Sequence, residues 1–190
     1  MNPVSRFGEP DEATLPDDIA DIYERNRSKL GFVPNVFRAY AKRPEHFRAF
    51  MQYHDVLMKG ESGLSRTERE AIVVAVSSEN RCQYCMTAHG AALRILGKDP
   101  ELAEAIANNW QTAELTPRLR AMLQFASYVN ETGFAATDED IEELQAQGFS
   151  ENDVWDIAAI AAFFGFSNRM AGFMDMRPNP EFYAMGRHPK

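Results

Sequence analysis

The chain has 190 residues, of which 45% are apolar and 25% are charged, a balance typical of globular proteins that excludes disordered and collagen-like chains. The length predicts a single domain over residues 1–190. The net charge of -8, without clustered Lys or Arg, argues against nucleic acid as a partner, because phosphate binding needs such clusters.

The N-terminal segment has no basic stretch followed by an apolar stretch, so it does not resemble a secretory signal. The densest apolar stretch, residues 157–166, is about half of a membrane span and follows Asp156. We therefore expect a cytoplasmic protein that does not associate with a membrane.

Apolar residues recur at spacings of three and four along the chain, and the alternation typical of strands is almost absent. An all-α fold is therefore expected. The first helix has Pro16 in its first turn and stops at Gly31, and a short helix follows from about Pro34. A longer helix begins at Pro44 and ends before Gly60.

The middle of the chain predicts two consecutive helices. Ser65 and Glu68 have the spacing of a capping box, so one helix is expected from Ser65 to about Ser78. Asn80 is expected to cap the next helix, which stops at Gly97.

Three further helices are predicted before a polar tail. They run from Thr116-Pro117 to Glu131, from Thr137 to Gln147 and from Ser150 to about Met174, with Gly133 and Gly148 between them. The tail, residues 178–190, shows no helical face long enough to bury, and we interpret it as either a docking arm or a loose end.

The two cysteines, Cys82 and Cys85, stand three positions apart. A disulfide that closes so short a loop adds little stability, so the pair points to redox or metal chemistry. On one helix both share a face with His89, and their Cα atoms lie roughly 5 Å apart, within the range of a reversible disulfide. A position near the helix start favours a thiolate, so at least one thiol is expected to be acidified.

Glu70 lies ten residues before Asn80, and His89 lies nine residues after it. In an antiparallel hairpin over residues 64–97 these distances match, so the two side chains can stand at the same height. A carboxylate beside an imidazole raises its basicity, and the imidazole can then take the proton of Cys85. Glu70, His89 and Cys85 form a candidate proton relay.

Other interpretations of these residues stay open. The cysteines can be small buried apolar groups, and Glu70 can pair with Arg66 or Arg69 on its own helix. A zinc site would need His46, His54 or Glu70 beside the cysteines and His89. His54 lies on an apolar helix face and is more typical of a core or interface histidine. We expect neither a metal nor a cofactor.

The pattern resembles a known family. The run Glu70-(eleven residues)-Cys82-Gln83-Tyr84-Cys85-(three residues)-His89 is similar to the signature of the alkyl hydroperoxidase D-like (AhpD-like) group of the carboxymuconolactone decarboxylase superfamily. Residues 30–35 and 166–169 resemble its peroxidase-related branch. The resemblance covers most of the chain and is most specific over residues 64–97.

The resemblance implies an AhpD-like helical bundle whose antiparallel hairpin is catalytic. It implies that Cys85 attacks a peroxide and becomes a sulfenic acid, which Cys82 resolves as a disulfide exposed to an electron donor, while Glu70 and His89 relay protons. It also implies a homo-oligomer, as a dimer, trimer or hexamer. The best-studied members have a histidine where this chain has Tyr84.

Four functions are considered. The first is a thiol-dependent peroxidase that reduces a small-molecule hydroperoxide and is recycled by a thiol or dithiol reductant protein. The second is a protein disulfide oxidoreductase with little peroxidase activity, and the third is a carboxymuconolactone decarboxylase-like lyase. The fourth is a non-enzymatic helical module that senses oxidation or assembles. Paired thiols beside a base favour the first.

Overall fold

The computed structural model describes residues 4–132 and 135–187, and within these ranges the chain is helical without any strand. The predicted all-α class is confirmed, while the expected stop at Gly133 lies outside the described residues. The nine α-helices of the described part are α1 (Asp17–Leu30), α2 (Asn35–Tyr40), α3 (Pro44–Lys59), α4 (Arg66–Glu79), α5 (Gln83–Gly97), α6 (Pro100–Asn109), α7 (Pro117–Thr132), α8 (Asp138–Ala146) and α9 (Glu151–Met174). Short 3-10 helices lie at Glu12–Thr14 and Pro180–Tyr183.

Helix α4 lies at the centre of the core. Every residue from Ala71 to Ser77 is buried, and the helix packs against α5, α6, α7 and α9. Its start is the predicted capping box: Ser65 Oγ accepts from the amide of Glu68 at 3.2 Å, and Glu68 Oε2 accepts from the amide of Ser65 at 2.8 Å. This reciprocal pair satisfies two amide groups at the start of the helix and defines where it begins.

Helix α9 is longer than the apolar stretch that marks it in the sequence. It has 24 residues and a mean hydropathy of 1.3 over its most apolar window, enough by length and composition to cross a membrane. However, 56% of that window is buried inside the protein, where α9 packs against α4 and α7. A core helix of a soluble protein passes the same test, so this is weak support for a membrane span.

The turn between α4 and α5 differs from the prediction. Asn80 ends α4 instead of capping α5, and Cys82 takes the N-cap position of α5. The Asn80 amide donates to the side-chain oxygens of Asn130 at 2.8 Å and of Asn168 at 2.9 Å, so it is engaged by α7 and α9. Arg81 completes the turn with φ of 54°.

Helix α6 is not among the predicted helices. The sequence pattern places Pro100 in the segment that follows the end of α5 at Gly97. Pro100 instead occupies the first turn of α6, a position that needs no amide hydrogen. The preceding Asp99 caps the helix by accepting from the amide of Leu102 at 2.9 Å. Helix α5 runs through Gly97, and Lys98 ends it with φ of 54°.

The described part of the tail, residues 178–187, docks onto the rest of the protein. Asn179 is buried and accepts from the amide of Asn35 at 2.7 Å, at the start of α2. Arg94 of α5 donates to the backbone oxygen of Phe182 at 2.9 Å. Of the two predicted alternatives, this segment is therefore the docking arm.

Candidate active site

The predicted contact between Glu70 of α4 and His89 of α5 is present. Glu70 Oε2 lies 2.7 Å from His89 Nδ1, and the two side chains are 13% and 18% exposed. Arg69 does not pair with Glu70, because its guanidinium donates to three backbone oxygens at the end of α3 and in the loop after it. With Nδ1–H held by the carboxylate, Nε2 carries the lone pair that can accept a proton.

The two cysteines are free, buried thiols that interact with each other. A hydrogen bond from the Cys85 thiol lowers the pKa of Cys82 to about 7, although burial opposes the shift. The same interaction and burial raise the pKa of Cys85 above its ordinary value. Cys82 is therefore the first of the two thiols to lose its proton, and the two sulfurs titrate as a coupled pair.

Asn168 of α9 influences both thiols, and sequence reasoning did not assign it a role. Its hydrogen bonds to the two thiols lower the pKa of each. Its amide also donates to Ser77 Oγ in α4 at 3.0 Å. The sequence signal is the polar pair Ser167-Asn168 inside an apolar helix, and both residues are buried.

A network of polar side chains lies behind the cysteine turn and holds Asn80 in place. Glu79 accepts from Trp110 Nε1 at 2.8 Å, from Ser127 Oγ at 2.6 Å and from Asn130 Nδ2 at 3.1 Å. Asn130 in turn accepts from Asn80. Since α4, α7 and the residue that follows α6 supply these groups, the position of the sulfurs depends on tertiary packing.

A cavity of about 200 Å³ lies beside these groups and is lined by Cys85, His89 and Glu70. Phe164 of α9 forms one wall, with its ring centroid 4.8 Å from that of His89 at an angle of 80°. One water takes up about 30 Å³ of liquid, so the cavity can hold a small organic molecule. Two larger hollows, of about 720 and 920 Å³, have neither cysteine in their walls.

Comparison with known proteins identifies the family. The carboxymuconolactone decarboxylase family pattern matches residues 44–128. A solved structure titled an alkylhydroperoxidase AhpD core, an uncharacterized peroxidase-related protein from Ralstonia eutropha JMP134, is 52% identical over 100% of both chains, with a TM-score of 0.98. This chain belongs to the AhpD-like group of the carboxymuconolactone decarboxylase superfamily.

Other relatives are consistent with this membership. A peroxidase-related protein from Silicibacter sp. TM1040 is 42% identical over 98% of this chain and 99% of its own, with a TM-score of 0.92. The debrominase Bmp8, solved with 2,3,4-tribromopyrrole, is 22% identical over 96% of this chain and 94% of its own, with a TM-score of 0.76, and shares the fold. None of the curated proteins matches this chain significantly.

Tyr84 occupies the position where the best-studied AhpD-like proteins have a histidine. Its side chain lines the cavity, and its hydroxyl oxygen accepts from the amide of Val36 at 3.0 Å. Burial raises the pKa of Tyr84 well above its usual value. In this AhpD-like chain the residue therefore ties the start of α2 to the α4–α5 hairpin and keeps its proton.

The remaining candidate residues separate in the structure. His54 lies in the wall of the cavity, whereas His46 lies in the wall of the 720 Å³ hollow. Among residues 4–132 and 135–187, no group of three or more His, Cys, Asp or Glu side chains is arranged to hold a metal ion. The zinc interpretation of the cysteine pair therefore gains no support from the described part of this AhpD-like protein.

Proposed function

We propose that this AhpD-like protein is a cytoplasmic, thiol-dependent peroxidase that reduces a small organic hydroperoxide. The observation that carries the proposal is the cavity that Cys85, Glu70 and His89 line together, with Cys82 near Cys85 at the start of the same helix. A paired thiol, a base and a small, largely apolar cavity are the parts that peroxide reduction requires. The peroxidase-related names of two similar relatives support the same chemistry.

Activation begins with the proton that remains on Cys85 after Cys82 has ionised. The Cys85 thiolate forms when this proton moves to Cys82 or to Nε2 of His89, and Glu70 stabilises the resulting imidazolium. Hydrogen bonds from Asn168 stabilise negative charge on either sulfur. Only Cys85 of the two lines the cavity, so we assign the attack to Cys85.

The reaction transfers oxygen to sulfur. An electron pair of the Cys85 thiolate attacks the terminal peroxide oxygen, the O–O bond breaks, and the products are a Cys85 sulfenic acid and an alkoxide that is protonated to the alcohol. The Cys82 thiolate then attacks the Cys85 sulfur and releases hydroxide, which takes a proton to become water. The product is a Cys82–Cys85 disulfide.

A thiol or dithiol reductant protein must restore the two thiols, because the disulfide holds the two electrons that the peroxide removed from sulfur. The reductant thiolate attacks Cys82 at the turn between α4 and α5 and forms a mixed disulfide while Cys85 leaves. A second thiol then releases the reduced protein and carries both electrons away as its own disulfide.

The test is stopped-flow mixing of the reduced protein with cumene hydroperoxide, followed by peroxide consumption and dimedone labelling. The wild type should consume one equivalent of peroxide per cysteine pair. Cys82→Ser should stop at a dimedone-labelled Cys85, and Cys85→Ser should consume peroxide at the uncatalysed rate. Equal consumption by wild type and Cys85→Ser would overturn the proposal.

A protein disulfide oxidoreductase is the second candidate, and the lowered pKa of Cys82 favours it. A thiol with a pKa of about 7 is largely thiolate at cytoplasmic pH and reacts readily with a partner's disulfide. If this second function is correct, Cys85→Ser should form a stable mixed disulfide between Cys82 and an oxidised dithiol protein. The wild type should then react with peroxide only at the rate of a free thiol.

We also propose that the protein forms a homo-oligomer, as a dimer, trimer or hexamer. Five large apolar side chains on α3 and α9 are exposed: Tyr53, Val56, Trp155, Phe166 and Phe173. A monomer rarely leaves so many large apolar groups in water on two packed helices. Light scattering should give a molar mass of two, three or six chains, and Phe166→Glu should lower it.

A further inference from the structure

A second pair of carboxylate and imidazole side chains meets the cavity from α3. His54 Nδ1 lies 3.0 Å from Asp55 Oδ1, and the same carboxylate oxygen lies 2.7 Å from Nζ of Lys59. His54 is 20% exposed and lines the cavity together with Cys85 and His89. The thiol cavity therefore contains two imidazoles, each held through Nδ1 by its own carboxylate.

The two imidazoles are close enough to act on one small ligand. Their ring centroids lie 6.4 Å apart, and Phe164 packs beside both, at 4.8 Å from His89 and 6.4 Å from His54. A peroxide placed between the rings would have one nitrogen base near the thiol and a second nitrogen near the departing oxygen. The proton relay through Glu70 and His89 leaves this second imidazole without a role.

Cleavage of an alkyl hydroperoxide needs an acid as well as a base. The departing alkoxide is strongly basic, comparable with hydroxide, because the pKa of its conjugate acid lies far above neutral pH. In a cavity with little water this anion is not stabilised unless a donor supplies a proton as the O–O bond breaks. His89 faces the opposite task, because Glu70 favours its acceptance of the thiol proton.

We propose that His54 is the general acid of the reaction and protonates the departing oxygen. As the Cys85 thiolate forms its bond to the terminal oxygen, the O–O bond breaks and the imidazolium of His54 transfers its Nε2 proton to the alkoxide. Sulfur is oxidised, the peroxide is reduced to an alcohol, and His54 is left neutral. This inference rests on the peroxidase function proposed above.

The surroundings of Asp55 suit a proton donor, His54, that must be protonated again after each turnover. The hydrogen bond with His54 lowers the pKa of Asp55 to about 2, so the carboxylate stays ionised and stabilises the imidazolium. Asp55 is 45% exposed and Lys59 is 57% exposed, so water reaches this end of the pair. The proton on Nε2 is restored from water that enters the cavity after the alcohol leaves, while the ionised Asp55 holds Nδ1.

The experiment compares two peroxides whose leaving groups differ in basicity, using the reduced full-length protein. tert-Butyl hydroperoxide releases an alkoxide, whereas peracetic acid releases a carboxylate whose conjugate acid has a pKa of about 4 to 5 and needs no proton. His54→Gln should slow the reaction with tert-butyl hydroperoxide by about 100-fold or more and change that with peracetic acid by less than about threefold. Alkylation of the thiols by iodoacetamide should keep its rate, because His54 does not take the thiol proton.

Two further variants complete the design. His46→Gln changes a histidine of the same helix that lines the neighbouring hollow, and both peroxide rates should stay unchanged. Asp55→Asn, at a partly exposed position, should reproduce the selective loss with tert-butyl hydroperoxide even where His54→Gln folds poorly.

The inference is overturned when His54→Gln and Asp55→Asn slow both peroxides equally, or slow neither. If the variants behave in either of these ways while the wild type still reduces both peroxides, the peroxidase proposal stands and only the acid role of His54 is rejected. A wild-type protein that reduces neither peroxide ends the peroxidase proposal, and the acid role falls with it.

Discussion

The amide of Asn168 in α9 donates a hydrogen bond to Ser77 Oγ in α4 at 3.0 Å, across 91 positions of sequence. Asn168 also lowers the pKa of both thiols, and its hydrogen bond to Ser77 holds α9 beside the helix that leads into the cysteine turn. The acidity of the sulfurs therefore depends on α9 as well as on the hairpin that carries them.

Replacing Asn168 should weaken the acidity of the cysteine pair. Asn168→Ala removes hydrogen bonds that lower the pKa of both thiols, so the midpoint of Cys82 alkylation should move above its value near 7. Iodoacetamide rates measured against pH report the shift. Asn152→Ala, at an exposed position in the first turn of the same helix, is the matched control. An unchanged midpoint in Asn168→Ala would argue against this role.

The cysteine pair itself predicts a pH profile. Cys82 should be alkylated with a midpoint near pH 7, and below that pH the rate should fall about tenfold per unit as the thiolate is protonated. Cys85→Ala removes the thiol that donates to Cys82, so the midpoint should rise toward the value of about 8.5 for a free cysteine. Protein unfolded in urea gives that reference value. A midpoint that does not rise in Cys85→Ala would show that other groups acidify Cys82.

The charge of Glu70 should matter more than its size. Glu70→Gln keeps the shape of the side chain and removes the charge that stabilises the imidazolium of His89, so the rate constant for peroxide should fall by about 100-fold. Single-turnover oxidation under excess peroxide measures this constant. Glu61→Gln changes an exposed carboxylate before α4 and should leave the rate intact. Similar rates for both variants would exclude the relay.

Tyr84→Phe should affect stability rather than chemistry. The change leaves the partly buried amide of Val36 without its acceptor, at a cost of about 0.5–1.5 kcal/mol in the free energy of unfolding. The peroxide rate constant should stay within about threefold, because the hydroxyl accepts a hydrogen bond and keeps its proton. Urea denaturation and stopped-flow kinetics measure the two quantities. A large kinetic loss with unchanged stability would place Tyr84 in the relay instead.

Arg69 is the clearest target for a loss of stability. Its guanidinium is 4% exposed and donates to the backbone oxygens of Leu57, Gly60 and Leu64. Arg69→Met leaves these three acceptors without their donor, so the free energy of unfolding should fall by about 2–4 kcal/mol. Arg66→Met, one turn earlier and exposed, should change it by no more than about 0.5 kcal/mol. Equal effects of the two changes would contradict the structure.

Much of the hairpin could be predicted from local sequence. The capping box at Ser65 and the counts from the turn to Glu70 and to His89 depend only on helix geometry, and they led to the observed contact. The same reasoning misplaced Asn80, because its side chain is engaged by α7 and α9 rather than by the next helix. It also missed α6, since a proline that follows a glycine is typical of a helix end as well as of a helix start.

The sequence by itself determined the helical class, the cysteine pair and the facing of a carboxylate and an imidazole, because these follow from periodicity and spacing within about thirty residues. Tertiary structure alone decided that Asn168 reaches the sulfurs and that His54 shares a cavity with His89. Those side chains belong to helices that are distant in sequence. The helices come together because their apolar faces are buried against each other, so these contacts form only when the whole core has packed.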